Sequence, residues 1–127
     1  MKKLLPLFAT FAILSACQTR GPAVHIVKPN NHAVAVSSLQ RINAKAHECW
    51  KADKAFDAYG IIPELDTTGT PRILLIPKGK PQALPKLVIT ANGKSVQTFG
   101  PLAQSVLAPR IQSDVTRWAS GGTSCSA

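Results

Sequence analysis

The sequence predicts an α+β domain in which three or four antiparallel strands carry two helices over one face, in the order α-β-β-β-β-α. Two stretches have apolar residues at helical spacing, and they bracket a central region of short apolar segments. In that region Asn92-Gly93 separates two such segments, which is a strong short-range signal for a β-hairpin. Strands linked by hairpins and bracketed by helices form this class of domain.

The first helix is expected from about Ser38 to about Ala55. Ser37 and Gln40 have the Ser-x-x-Gln spacing of a capping box, which marks a helix start. The stripe that follows at helical spacing consists of Leu39, Ile42, Ala46, Cys49, Trp50 and Asp53. The Cys49 side chain is therefore expected to point toward the core.

Four strands are expected between the helices. Residues 59–65 and 72–76 are apolar and are separated by a turn-forming composition. Residues 87–91 and 94–99 flank Asn92-Gly93, which predicts a type I′ turn at these two positions.

In that register Ile89 lies opposite Val96, and Leu87 lies opposite Thr98. Leu87, Ile89 and Val96 then face the core, whereas Val88 and Thr90 face the other way, because side chains alternate along a strand.

The last helix-like stretch covers residues 102–118. Its apolar stripe consists of Leu107, Ile111, Val115 and Trp118. Pro109 removes one helical hydrogen bond, so we expect either a kink or a break that places Pro109 in the first turn of the final helix. Gly121-Gly122 should end that helix and free the tail that carries Cys125.

Residues 1–17 have the form of a secretory leader. Two lysines precede an apolar stretch at 4–14 that is too short to cross the ~30 Å hydrocarbon core of a bilayer. The motif Leu14-Ser15-Ala16-Cys17 follows and resembles the lipobox of bacterial lipoproteins. An ordinary signal peptide cleaved after Ala16, with Cys17 left as a plain thiol, is the alternative.

The resemblance implies that residues 1–16 are removed and that Cys17 carries a diacylglycerol and an acylated amino terminus. Several acyl chains on one residue make attachment effectively permanent. Residues 17–36 would then form the anchor and a flexible tether, and 37–127 a globular periplasmic domain. Because Gln18 rather than Asp follows the cysteine, lipoprotein sorting implies the outer membrane, with the domain facing the periplasm.

Once this resemblance assigns Cys17 to lipid, Cys49 and Cys125 remain as a pair in an oxidising compartment, which predicts a disulfide. Closing so long a loop removes about 4.5 kcal/mol of denatured-state entropy in the loop model. A metal site on His47 and Cys49 is the alternative, but it lacks closely spaced ligand pairs. No metal or cofactor is therefore expected.

The chain is basic, with a formal charge of +9, and 13 − 6 = +7 remains without the two lysines of the leader. Lys78, Lys80 and Lys86 lie with three prolines between the second and third strands. They are candidates for contact with anionic head groups beside an anchored protein. We favour the alternative of a solvated connection, because charge runs usually do no more. Nucleic acid is not an expected partner, because an exported, lipid-anchored chain without a recognition motif does not meet it.

No catalytic set can be assembled from the sequence. Neither Gly-x-Ser-x-Gly nor His-Glu-x-x-His occurs, and the neighbours His47 and Glu48 do not face each other on a helix. Trp50 and Trp118 lie on apolar stripes, so core packing is expected in preference to stacking on a ligand. The protein is therefore expected not to be an enzyme.

The element order over residues 37–120, together with Cys49, Trp50 and Gly93, is similar in outline to the carboxy-terminal domains of TolA and TonB. Those domains are small periplasmic protein-binding modules. They depart from this chain in having a transmembrane helix and a long linker, and Cys125 lies beyond the last helix. The resemblance supports the α-β-β-β-β-α order.

The expected function is that of a lipid-anchored envelope lipoprotein whose periplasmic domain binds an envelope protein or stabilises envelope structure. Two alternatives remain open. One is an anionic lipid or glycan binder that uses Lys78, Lys80 and Lys86. The other is an inhibitor of a cell-wall-degrading enzyme such as lysozyme, although a domain of charge +7 should repel a cationic enzyme.

Overall fold

The computed structural model describes residues 30–126, which form a four-stranded antiparallel sheet with two helices on one face. The predicted class and the α-β-β-β-β-α order are confirmed. The leader and Cys17 lie outside the described residues. The elements are α1 (Asn31–Cys49), β1 (Tyr59–Glu64), β2 (Arg72–Pro77), β3 (Leu87–Asn92), β4 (Ser95–Phe99) and α2 (Ala108–Ala119), with 3₁₀ turns at Lys54–Phe56 and Pro101–Gln104.

Helix α1 begins earlier than predicted, and the prediction of a capping box at Ser37 and Gln40 is wrong. Asn30 is the N-cap, since its side-chain oxygen accepts a hydrogen bond at 2.7 Å from the backbone N–H three residues later. Ser38 is fully buried within the helix rather than near its start. The first turns of α1, which the sequence had assigned to the tether, therefore belong to the helix.

Helix α1 also ends earlier than predicted, at Cys49 rather than near Ala55, with Trp50 as its C-cap. Asp53 does not continue the helix, because its carboxylate accepts a hydrogen bond at 2.8 Å from the Ala55 N–H and caps the following 3₁₀ turn. The buried side of α1 carries Cys49, as expected.

The strands follow chain order across the sheet and have the predicted bounds to within a residue. The turn between β3 and β4 is different. Asn92 pairs with Ser95, so Gly93 and Lys94 are its central residues. Only Gly93 has a positive φ, 60°, which is what a type II′ turn requires, and the predicted type I′ turn is wrong.

The register of this hairpin is consequently shifted by two positions. Thr98 lies opposite Ile89 rather than Leu87, and Val96 lies opposite Ala91 rather than Ile89. Because side chains alternate with a period of two, this shift leaves every side chain on its predicted face. Leu87 and Ile89 are fully buried, and Val96 packs against the core.

The predicted break at Pro109 is confirmed, since a 3₁₀ turn precedes α2 and Pro109 lies in the first turn of that helix. Helix α2 ends in a Schellman motif. The N–H of Gly122 donates to the carbonyl of Arg117 at 2.8 Å, and the N–H of Gly121 donates to that of Trp118 at 3.0 Å. Gly121 has a φ of +93°, which favours glycine.

The motif turns the tail back toward α1, where the predicted disulfide is confirmed. The Cα atoms of Cys49 and Cys125 are 5.4 Å apart. Trp50 and Trp118 are both fully buried, with ring centroids 5.3 Å apart, so their predicted core role is confirmed. Phe56 stacks on Trp50 at 4.6 Å and closes this end of the core.

Candidate binding surface

Within residues 30–126 the sheet has one face under the helices and one face without them, here called the outer face. On β2, Ile73 and Leu75 belong to the core, so Leu74 and Ile76 point to the outer face. Strand pairing aligns one apolar residue from each strand across the outer face. This outer row consists of Ile62, Leu74, Val88 and Phe99.

The outer row is exposed at its two ends. Ile62 on β1 is 40% exposed and Phe99 on β4 is 52% exposed, whereas Leu74 in the interior is 6% exposed. The adjacent row on the same face is polar and consists of Glu64, Arg72, Thr90 and Gln97. An apolar stripe beside a polar one is the usual composition of a protein contact surface.

A cleft of about 240 Å³ continues the outer row toward the loop after β2. Its sheet side is formed by Gly60, Ile62 and Ile76. Its loop side is formed by Pro77, Lys78, Gly79 and Pro81. A Cβ on Gly60 would make an ordinary van der Waals contact, 3.8 Å from the carbonyl oxygen of Ile76, so a side chain could be added there without a clash.

The three lysines that are candidates for contact with anionic head groups lie in the loop of residues 78–86, which also forms the loop side of the cleft. Lys78, Lys80 and Lys86 are exposed, and none makes an ion pair within residues 30–126. The loop is held to the sheet by the Lys78 N–H, which donates to Ala58, and by the Lys86 N–H, which donates to Leu75 at 2.8 Å. The structure therefore joins the basic loop to the outer face.

The chain enters the domain at the opposite end of the sheet. Asn31 and His32 share a surface pocket with Thr70, in the β1–β2 turn, and with Asn92, the last residue of β3. The basic loop lies at the other end, beside the start of β3. Helix α1, with 19 residues and therefore a length of about 28 Å, spans the distance between these two ends.

The helix side of the molecule holds the buried charges. Asp114 on α2 is 2% exposed, and its carboxylate accepts hydrogen bonds from the Trp50 indole N–H at 2.8 Å and from Arg117 at 2.5 Å. Arg110 approaches the same carboxylate at 3.5 Å and pairs with Asp53 at 2.5 Å. These contacts link α2 to α1 and to the 3₁₀ turn, which is a structural role.

Two pKa shifts follow from this packing. Hydrogen bonds from the Ala55 N–H and from Arg110 lower the pKa of Asp53 below its usual value. Burial and the neighbouring charge of Lys51 lower the pKa of His47. His47 lies in the last turn of α1 and Asp53 caps the 3₁₀ turn that follows, so both groups are on the helix side and away from the outer row.

Within residues 30–126 no cluster of three or more His, Cys, Asp or Glu side chains is arranged to hold a metal ion. In the same range no helix combines the length and hydrophobicity needed to cross a membrane.

The outer row was not recognised from the sequence as a site. A signal was present, because residues 73–76 are apolar at four consecutive positions, which indicates a strand with two apolar faces. The Asp53–Arg110 and Trp50–Asp114 contacts were also missed, since they join residues more than fifty positions apart.

No family model, no curated protein and no solved structure matches this chain. Its similarity to lipoproteins and to the TolA and TonB domains thus stays a prediction from the sequence.

Proposed function

We propose that this chain is a lipid-anchored envelope lipoprotein with a non-enzymatic domain that binds another protein through the outer face of its sheet. The observation that carries the proposal is the outer row, which aligns apolar side chains from all four strands and exposes Ile62 and Phe99. An apolar row that crosses a whole sheet and exposes large side chains at both ends favours a binding role.

The partner is a protein that presents its own apolar patch beside acidic side chains. Charge complementarity supports this choice. The cleft end of the outer face carries Lys78, Lys80 and Lys86, while Glu64 and Arg72 neutralise each other at the far end with an N–O distance of 2.5 Å. Such rim charges increase the association rate and select the partner, while the apolar row contributes most of the affinity.

Site-specific photo-cross-linking in intact cells tests the binding surface. A photoreactive residue placed at Phe99 should give one discrete cross-linked product that mass spectrometry assigns to an acidic, apolar segment of an envelope protein. The same residue at Gln112, which is exposed on α2, is the control. Equal cross-linking from both positions, or none from Phe99, would contradict the proposal.

The anchor is tested separately. Mass spectrometry of the mature chain isolated from envelopes should find Cys17 as the first residue, with acyl chains on its sulfur and its amino group. A mature chain that begins elsewhere, or an unmodified Cys17, would remove the lipoprotein assignment and leave the outer face unaffected.

A further inference from the structure

The cleft beside Gly60 is smaller than the pockets that hold cofactors and drug-sized ligands, which usually measure roughly 300–1,000 Å³. Its walls come from Ile62, Ile76, Pro77 and Pro81, so its floor and sides are apolar. Gly60 contributes no side chain to the cleft, and a Cβ there would meet only the carbonyl oxygen of Ile76, at 3.8 Å. These properties suit a single aliphatic side chain.

The opening of this cleft has a different chemistry. Lys78 lines it, and Lys80 follows two residues later in the same exposed loop. An occupant that brought carboxylates to this opening would meet lysines with no competing ion pair in the described chain. Contacts of this kind strengthen as the surrounding apolar surface excludes water.

We infer that the cleft receives an aliphatic side chain of the partner protein, from a segment in which acidic residues flank that side chain. The inference rests on the proposed function and names the segment that the outer face recognises. The side chain enters between Gly60 and Pro81, and the flanking carboxylates pair with Lys78 and Lys80.

Two other occupants fit the structure less well. The cleft lies at the end of the sheet opposite Asn31, and a bilayer presents no aliphatic side chain flanked by carboxylates. A second copy would bring a like charge, because residues 30–126 carry eleven basic and six acidic side chains, 11 − 6 = +5.

The test uses the full mature chain, purified from envelopes and held in phosphatidylcholine nanodiscs. The probe is a fluorescent nine-residue peptide with a central leucine flanked by glutamates, and its binding is measured by anisotropy. Two further peptides replace either the leucine by serine or the glutamates by lysines. We expect each replacement to weaken binding to the unchanged protein by about tenfold, the effect of losing one buried anchor or its charge complement.

Gly60→Leu fills the cleft and should weaken binding of the leucine peptide by about tenfold. Gly69→Leu, an exposed glycine in the β1–β2 turn, is the matched control and should leave binding unchanged. The Gly60→Leu variant should no longer distinguish leucine from serine in the peptide, because the two changes remove the same contact. Gly60→Ala, with a smaller side chain, tests the same point if the leucine variant does not fold.

Replacing Lys78, Lys80 and Lys86 by Gln should weaken binding of the glutamate peptide at low salt. The difference should close at 1 M salt, where the screening length is about 3 Å.

Three results would overturn the inference: equal binding of the leucine and serine peptides, equal binding of the glutamate and lysine peptides, or loss of binding when phosphatidylglycerol replaces phosphatidylcholine. Concentration-dependent dimerisation that Gly60→Leu abolishes would assign the cleft to a second copy instead. If Phe99 still cross-links an envelope protein in any of these cases, the proposed function stands without this inference.

Discussion

The two faces of the sheet use similar side chains and differ in what covers them. On the inner face Ile73, Leu75, Leu87 and Ile89 are fully buried under α1 and α2. On the outer face Ile62 and Phe99 remain 40% and 52% exposed at the ends of an equally apolar row. Two helices cover one face of the four-stranded sheet, and within residues 30–126 no helix covers the other face.

The comparison also separates two kinds of polar group. On the helix side the buried carboxylate of Asp114 is paired in fixed geometry with Trp50 and Arg117. The lysines beside the outer face are exposed and make no ion pair in the described chain. Paired buried charges contribute to the fold, whereas exposed lysines without a partner in the described chain remain available to an acidic group.

The largest expected effect is on the helix side. Cys49→Ala combined with Cys125→Ala should lower the free energy of unfolding by about 4 kcal/mol, because the unfolded chain regains the freedom of a long loop. Urea unfolding with and without reductant measures this. If reductant left the free energy of unfolding of the unsubstituted domain unchanged, the disulfide to the tail would contribute nothing to the stability of the helix side.

A matched pair compares the two faces directly. Leu75→Ala should cost about 3 kcal/mol, because it leaves a cavity under the helices, whereas Ile62→Ala should cost less than about 1 kcal/mol because that side chain is already partly in water. The expected binding effects are reversed, with loss of the Phe99 cross-link only for Ile62→Ala. Equal stability losses would mean that the outer row is a second core.

The buried carboxylate gives a smaller effect. Asp114→Asn should lower the free energy of unfolding by about 2 kcal/mol, since it keeps an acceptor for Trp50 but removes the charge that pairs with Arg117. Asp66→Asn, an exposed carboxylate without an ion pair in the described chain, is the control and should be neutral. Denaturation midpoints at neutral pH decide between these outcomes.

The smallest effect is a pH dependence. Because the pKa of Asp53 is lower in the folded than in the unfolded chain, its contribution to stability is present above the ordinary value near 3.8 and is lost as the pH falls through the folded value. Asp53→Asn should therefore reduce the difference between the melting temperatures measured at about pH 7 and at about pH 3. An unchanged difference would remove Asp53 from the stabilising contacts of the helix side.

Local signals in the sequence were sufficient for much of the fold. The four strands, the break at Pro109 and the helix end at Gly121-Gly122 were predicted and are present. The disulfide was also predicted, on the strength of the cysteine count and the resemblance that assigns Cys17 to lipid. Each of these depends on spacing or on residue types with a strong backbone preference.

The errors arose where two local signals competed. Ser37 and Asn30 are both acceptable N-caps, and the choice of Asn30 depends on Ala35 and Ser38 being buried against the rest of the domain. Asn92-Gly93 and Gly93-Lys94 both contain a glycine that suits a tight turn. The pairing of β3 with β2 on one side and β4 on the other places the turn at Gly93-Lys94. A propensity of a few tenths of a kcal/mol cannot decide such cases against tertiary packing.

The sequence alone determined that β2 has two apolar faces, because residues 73–76 are apolar without interruption. Only the tertiary structure decided which face became the core and which became the outer row. That choice depends on where α1 and α2 pack and on strand pairing that aligns Ile62, Leu74 and Phe99 from distant parts of the chain. The alternation of side chains along a strand is a local property, whereas the choice of the sheet face that the helices cover depends on burial across the whole domain.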